Sequence, residues 1–157
     1  MKFLIAFIAL ISPLANASVD LVKVVKSQNR MFLIYDGQVV KEYHVAFGQN
    51  PKGHKQEAGD QRTPEGNYTL DLKKEDSEFY RAMRISYPNN YDKIIAKNRG
   101  VSPGGHIMVH GQKNGFEHLE SFTQTANWTD GCIALTNREM DEFMRLVSIG
   151  TPIEIRW

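Results

Sequence analysis

The chain is 157 residues long, with 19 Lys and Arg against 18 Asp and Glu and a net charge of +1. Charge this evenly balanced leaves no basic stripe to hold nucleic acid and no acidic or basic tail. The length suits one ordinary domain with a full hydrophobic core.

Residues 1–17 read as a secretory signal peptide. Lys2 supplies the positive start, residues 3–11 an uncharged apolar run, and Ala15-Asn16-Ala17 a small-residue cleavage site after Pro13. The apolar run is short for a bilayer core of about 30 Å, so it predicts cleavage after Ala17 rather than anchoring. No cysteine lies near that site to carry a lipid, and no later stretch is apolar enough for a membrane helix. The expected mature domain is 18–157, exported, and periplasmic in a cell with an outer membrane, with no stable membrane span once the signal is gone.

Residues 19–26 are rich in valine and predict a first strand, and 31–35 a second. Asp36-Gly37 is a two-residue hairpin signal, and 38–47 predicts the returning strand, so the domain opens as a β-meander. Residues 48–66 form a polar loop, long enough for a functional role. Residues 67–72 predict a strand, and 75–98 are mixed, with a short helix over 92–98. Residues 106–110 predict a strand that stops at Gly111. A short helix is predicted at 116–123 and a short apolar run at 132–135. Thr136-Asn137-Arg138-Glu139 fits a capping box. Met140, Phe143, Met144 and Val147 then recur at helical spacing, and Gly150 and Pro152 stop the helix. Residues 153–157 alternate as a last strand. The sum is a mainly β domain with one strongly marked helix.

Exported cysteines usually pair, so a single one marks either a reactive thiol or a buried packing residue. The neighbours of Cys132 favour reactivity. In Thr129-Asp130-Gly131-Cys132 the glycine permits a tight turn and close substrate approach. The amides of Gly131 and Cys132 are candidates for an oxyanion hole, and Thr129 adds a hydroxyl. A thiol nucleophile needs a base. His110 ends an apolar strand just before Gly111, which places its ring at a sheet edge. His44 and His118 read as structural, and His54 as a solvated loop residue. His106, four residues from His110 on the same predicted strand face, lies about 13 Å away and is expected to line the cleft rather than serve the thiol. A metal centre lacks ligands, because there is one Cys and no H-E-x-x-H. A G-x-S-x-G elbow and a Gly-rich phosphate loop are also absent.

These residues resemble the L,D-transpeptidase catalytic domain family, also called YkuD-like. Val109-His110-Gly111, an intervening loop and Thr129-Asp130-Gly131-Cys132 are similar to its His-Gly and Ser/Thr-x-Gly-Cys motifs. Thr63-Pro64-Glu65-Gly66-Asn67-Tyr68 is similar to its Thr-Pro-x-Gly-x-Tyr segment. The opening hairpin, Gly104-Gly105 and the closing Gly150-Thr151-Pro152-Ile153-Glu154-Ile155 extend the resemblance over nearly all of 18–157. It implies a mainly β, YkuD-like β-sandwich with one or two helices and the catalytic Cys in a cleft.

The resemblance also implies a partner and a reaction. Peptidoglycan stem peptides would acylate Cys132 as a thioester with release of D-Ala, and an amine acceptor would resolve the thioester into a cross-link. With water as acceptor the same Cys–His site would make a carboxypeptidase, or release a wall-linked lipoprotein. No metal or organic cofactor is implied. His110 would be the base, Gly131 and Cys132 the oxyanion donors, and Thr129 with a backbone carbonyl would orient His110. Arg62, Arg99 and Arg138 are candidates for substrate carboxylates, because guanidinium binds carboxylate bidentately, with His106 and Gly111 along the cleft. Ala134 departs from the Arg or Asn that many members carry two positions after the cysteine. One substrate-binding side chain is then missing or supplied from elsewhere.

Overall fold

In strand β1 (Leu21–Val25), Val22 and Val24 are buried while Lys23 is exposed, the period of two expected of a strand with one wet face. β1 pairs antiparallel with β2 (Arg30–Tyr35), and β2 with β3 (Gln38–His44), which is the expected meander. Asp36 and Gly37 both have positive φ, 48° and 71°, as the tight turn requires. The computed structural model describes residues 18–157, and the expected signal peptide lies outside the described residues.

The chain continues through β4 (Gly66–Ser77), β5 (Tyr80–Ile85), α1 (Asn90–Asn98), β6 (Met108–His110), α2 (Glu120–Thr123), β7 (Ile133–Ala134), α3 (Asn137–Leu146) and β8 (Pro152–Arg156). The strand order is β3-β2-β1-β8-β4-β5-β6-β7. β4 joins two ladders: its first residues, to Thr69, pair with β8, and those from Leu70 to Ser77 pair with β5. β1–β8 and β6–β7 are parallel. The architecture is mainly β, as expected. Among the described residues, three α-helices stand where one or two were expected, because 120–123 closes a single turn. Among the described residues, no helix is long and apolar enough to cross a membrane.

Two elements differ from the sequence reading. β4 runs to Ser77 rather than stopping near 72, and β5 fills a stretch that showed no clear period. The outer half of β4 carries Lys73, Lys74, Glu75 and Asp76, whose charge conceals a strand that is largely wet. The hairpin between them also lacks a glycine. Tyr80 itself takes the positive φ, 65°, that a glycine would have advertised. The second difference is His106. It has φ 56°, so the strand begins at Met108 and His106 lies outside it, not on a common strand face with His110.

Helix α3 is built as its pattern requires. Thr136 Oγ1 accepts from the Glu139 amide, and the Glu139 carboxylate accepts from the Thr136 amide. Met140, Phe143 and Met144 face inward with Val147 just beyond the helix, and the helix packs on β5. The core beneath joins Val22, Leu33, Phe47, Leu70, Ile85, Val109, Ile133 and Ile155.

The loop 48–66 is pinned. Lys26 is buried, and its ammonium donates to the carbonyls of Gly53 and Thr63 and to Glu65 Oε1 at 2.8–3.0 Å. Burial lowers the Lys26 pKa, and the Glu65 carboxylate opposes that shift. Thr63 Oγ1 accepts from the Gly48 amide at 3.1 Å. His54 is held too: Nδ1 accepts from the Glu65 amide at 2.9 Å, and Nε2 lies 3.2 Å from Asp92 Oδ1. It is therefore an anchored residue and not the solvated one its polar neighbours predicted.

Candidate active site

β6 and β7 lie side by side and parallel, with His110 opposite Ala134. Cys132 directly precedes β7, next to Ile133, which pairs with Val109 beside His110. Cys132 and His110 line one cleft of about 380 Å³, with Lys74, Ser77, Glu78, Phe79, His106, Met108, Trp128, Thr129 and Asp130. A larger groove of about 620 Å³ lies between β3 and α3, and its lining carries neither Cys132 nor His110.

The turn that presents the thiol is shaped by close packing. Gly131 has φ 136°, and a Cβ there would stand 2.6 Å from the Arg62 carbonyl oxygen and 3.2 Å from Ile107 Cδ1. Only glycine lets loop 48–66 pass this close behind Cys132. Thr129 closes the turn: its hydroxyl donates to the Cys132 carbonyl at 2.7 Å and accepts from the Gly131 amide at 3.1 Å. Thr129 thus braces the cysteine, and its hydroxyl bonds are not to His110. Of the two amides proposed for an oxyanion, that of Gly131 is already engaged. No hydrogen-bond partner is found for the Cys132 amide among the described residues.

The thiol lies 3.6 Å from the His106 carbonyl oxygen. Burial pushes its pKa up, and the Met108 amide partly offsets this by stabilising the thiolate. The His110 ring is buried, and its Nδ1 donates to the Gly111 carbonyl at 2.6 Å, so Nε2 is left as the acceptor nitrogen. Burial pulls the His110 pKa down to about 4, against a smaller upward pull from the Gly111 carbonyl. At neutral pH the resting pair is therefore neutral thiol and neutral imidazole. That is a base ready to take a proton, not a preformed ion pair.

Gly111 lies under the β4–β5 hairpin. Its amide donates to the carbonyls of Phe79 and Arg81, and a Cβ would stand 2.6 Å from Asn137 Oδ1 and 2.9 Å from Tyr80 Cβ. It supports His110 and is not among the cleft residues. The three arginines also lie outside the lining. Arg62 runs behind Gly131, Arg99 at the end of α1 bonds Gln56, and Arg138 lines the groove by α3. The cationic side chain of the cleft is Lys74, on the charged half of β4 that concealed the strand. Phe79 and Trp128 were also missed, because nothing in their local sequence marks contact with His110. Ala134 is fully buried, and its carbonyl accepts from the amide of Ala46 and from Gln124 Nε2. Among the described residues, no three His, Cys, Asp or Glu side chains gather to hold a metal ion.

A single cysteine and a buried neutral histidine in one cleft of a mainly β domain form the site expected of a thiol-dependent acyl-transfer protein. The family model for the L,D-transpeptidase catalytic domain matches residues 20–155, and the chain belongs to that family. The protein YafK of Escherichia coli K12 is 29% identical over 113 residues, covering 71% of this chain and 38% of YafK. A variant of the helical cell shape determining protein Pgp2 from Campylobacter jejuni superposes with a TM-score of 0.66 at 28% identity, over 88% of this chain and 47% of that one. An L,D-transpeptidase from Mycobacterium smegmatis shares the fold, with a TM-score of 0.56 at 18% identity, over 87% and 58%. The chain thus spans well under two thirds of the length of each of these proteins.

Proposed function

We propose that this domain is a cysteine-dependent L,D-transpeptidase acting on peptidoglycan stem peptides. The observation that carries the reading is that Cys132, just before β7, and His110, at the end of the adjacent strand β6, line one cleft. Family membership supplies the class of chemistry. His110 Nε2 takes the thiol proton as Sγ attacks a stem-peptide carbonyl carbon. The resulting oxyanion is held at the Cys132 amide. The C–N bond to terminal D-Ala then breaks, and the leaving amine takes the proton from His110. A second stem's amine resolves the thioester and closes the cross-link. Lys74 is the side chain placed to meet a substrate carboxylate. Export with loss of residues 1–17 and action in the periplasm belong to the same proposal.

The test incubates the purified 18–157 domain with a disaccharide tetrapeptide containing meso-diaminopimelate, beside a Cys132→Ala control, and reads products by mass spectrometry. Cross-linked dimer and free D-Ala, both absent with the control, are the expected result. Tripeptide without dimer transfers the reading to a carboxypeptidase, in which water resolves the same thioester. No product with either protein rejects the reaction.

A further inference from the structure

Among the described residues, no carboxylate is hydrogen-bonded to the His110 ring, whose Nδ1 bonds the Gly111 carbonyl. Two aromatic rings pack against the imidazole. Phe79 lies with its ring centroid 4.6 Å from that of His110, and Trp128 stands edge-on at 5.8 Å. Phe79 and Trp128 are themselves 6.1 Å apart, so the three rings close one cluster. Trp128 Nε1 is a buried donor without a partner among the described residues.

Phe79 occupies the turn between β4 and β5, and that turn is clamped onto the segment following β6. The Phe79 amide donates to Ser77 Oγ, and its carbonyl accepts from the Gly111 amide at 3.1 Å. Asn114 binds the turn three times: Oδ1 accepts from the Tyr80 amide, Nδ2 donates to the Ser77 carbonyl, and its own amide donates to the Glu78 carbonyl. The missing Cβ at Gly111 admits Tyr80 to this contact. A turn held by this many bonds has a defined place, and its one large apolar side chain lies on the imidazole.

From this geometry we infer that Phe79 is a positioning residue for His110, holding the ring in plane for Cys132 and keeping water from it. The inference rests on the reading of His110 as the base. The neighbouring β5 residue, Ala82, and the β7 residue, Ala134, bring no titratable group to the ring. The ionisable groups of the cleft around it are Cys132, Lys74, Glu78, Asp130 and His106. With Phe79 in place the imidazole is desolvated and stays unprotonated well below neutral pH. Without it, water reaches the ring and protonation returns toward the ordinary range.

The test compares the natural domain with Phe79→Ala and Phe79→Leu, after thermal melts confirm that each is folded. His110 is titrated by NMR on histidine-labelled protein, and acylation rates are measured at pH 5 and pH 7. In Phe79→Ala the His110 midpoint should rise by about 2 pH units, toward the ordinary histidine value. Its acylation rate should then fall about tenfold between pH 7 and pH 5, a drop that the parent does not show. Phe79→Leu, which restores apolar cover, should recover most of the parent profile. An unchanged His110 midpoint, with rate lost equally at both pH values, would reduce Phe79 to a wall of the cleft and overturn the inference. A raised midpoint without the matching drop in rate would support the placement of Phe79 and remove His110 from the role of base.

Discussion

Replacing Gly131 with alanine tests whether close backbone approach builds the turn that carries Cys132. The residue sits at φ 136°, where an L side chain is strained by about 1–3 kcal/mol. The new Cβ would also lie 2.6 Å from the Arg62 carbonyl oxygen, closer than real Cβ atoms come. Relief needs a shift of roughly half an ångström in loop 48–66 or in the cysteine, which adds about 1–2 kcal/mol of overpacking. The sum, about 3 kcal/mol, corresponds to a fall in melting temperature of about 10 °C for a domain of this size. The same displacement should slow acylation by up to about 100-fold, since misplacement of about 1 Å costs that much. Gly59→Ala is the control. It has φ 80° and nothing within 4 Å of a Cβ, so it carries strain without the clash and leaves the rate unchanged. Urea melts give the stability of both variants, and intact mass after timed exposure to stem peptide gives the rate. If Gly131→Ala matches Gly59→Ala in both, the close approach of Arg62 does not build the turn.

The depressed His110 pKa has a stability consequence. The folded value is about 4 and the ordinary value 6.5, so as pH falls through this range the unfolded chain takes up the proton first. Stability that is complete above pH 6.5 should decline toward pH 4, by up to about 3 kcal/mol, and His110→Gln should flatten that slope in urea melts across the range. Lys26→Met should cost about 3 kcal/mol, because it leaves Glu65 and two carbonyls without their buried donor. Hydrogen exchange should quicken across residues 53–65 in that variant, and unchanged exchange there would reject the anchoring role. Thr129→Val keeps the volume but removes both hydroxyl bonds of the cysteine turn. It should slow acylation about tenfold or more while costing only about 1–2 kcal/mol, and a parent-like rate by mass spectrometry would show the brace to be dispensable.

What the sequence alone determined was local. A period of two in β1 and β8, the Asp36-Gly37 turn, and the Thr136–Glu139 box followed by Met140, Phe143, Met144 and Val147 each encode an element within a few residues, where backbone geometry leaves few choices. The proposed nucleophile and base were legible for a similar reason: Gly131 and Gly111 stand beside Cys132 and His110 and mark backbone approached closely by another segment. Sequence period did not reveal which segment approaches. Loop 48–66 comes to Gly131 because a bridge joins Gly48 to Thr129, and the β4–β5 hairpin comes to Gly111 because β5 pairs with β6; pairing between distant segments is not written in either segment's own pattern. Tertiary structure alone therefore decided that Phe79 and Trp128 enclose His110. It likewise placed Lys74, rather than Arg62, Arg99 or Arg138, in the cleft. Charge identifies which side chains are able to meet a carboxylate, but the direction each one faces is set by the strand or helix that carries it.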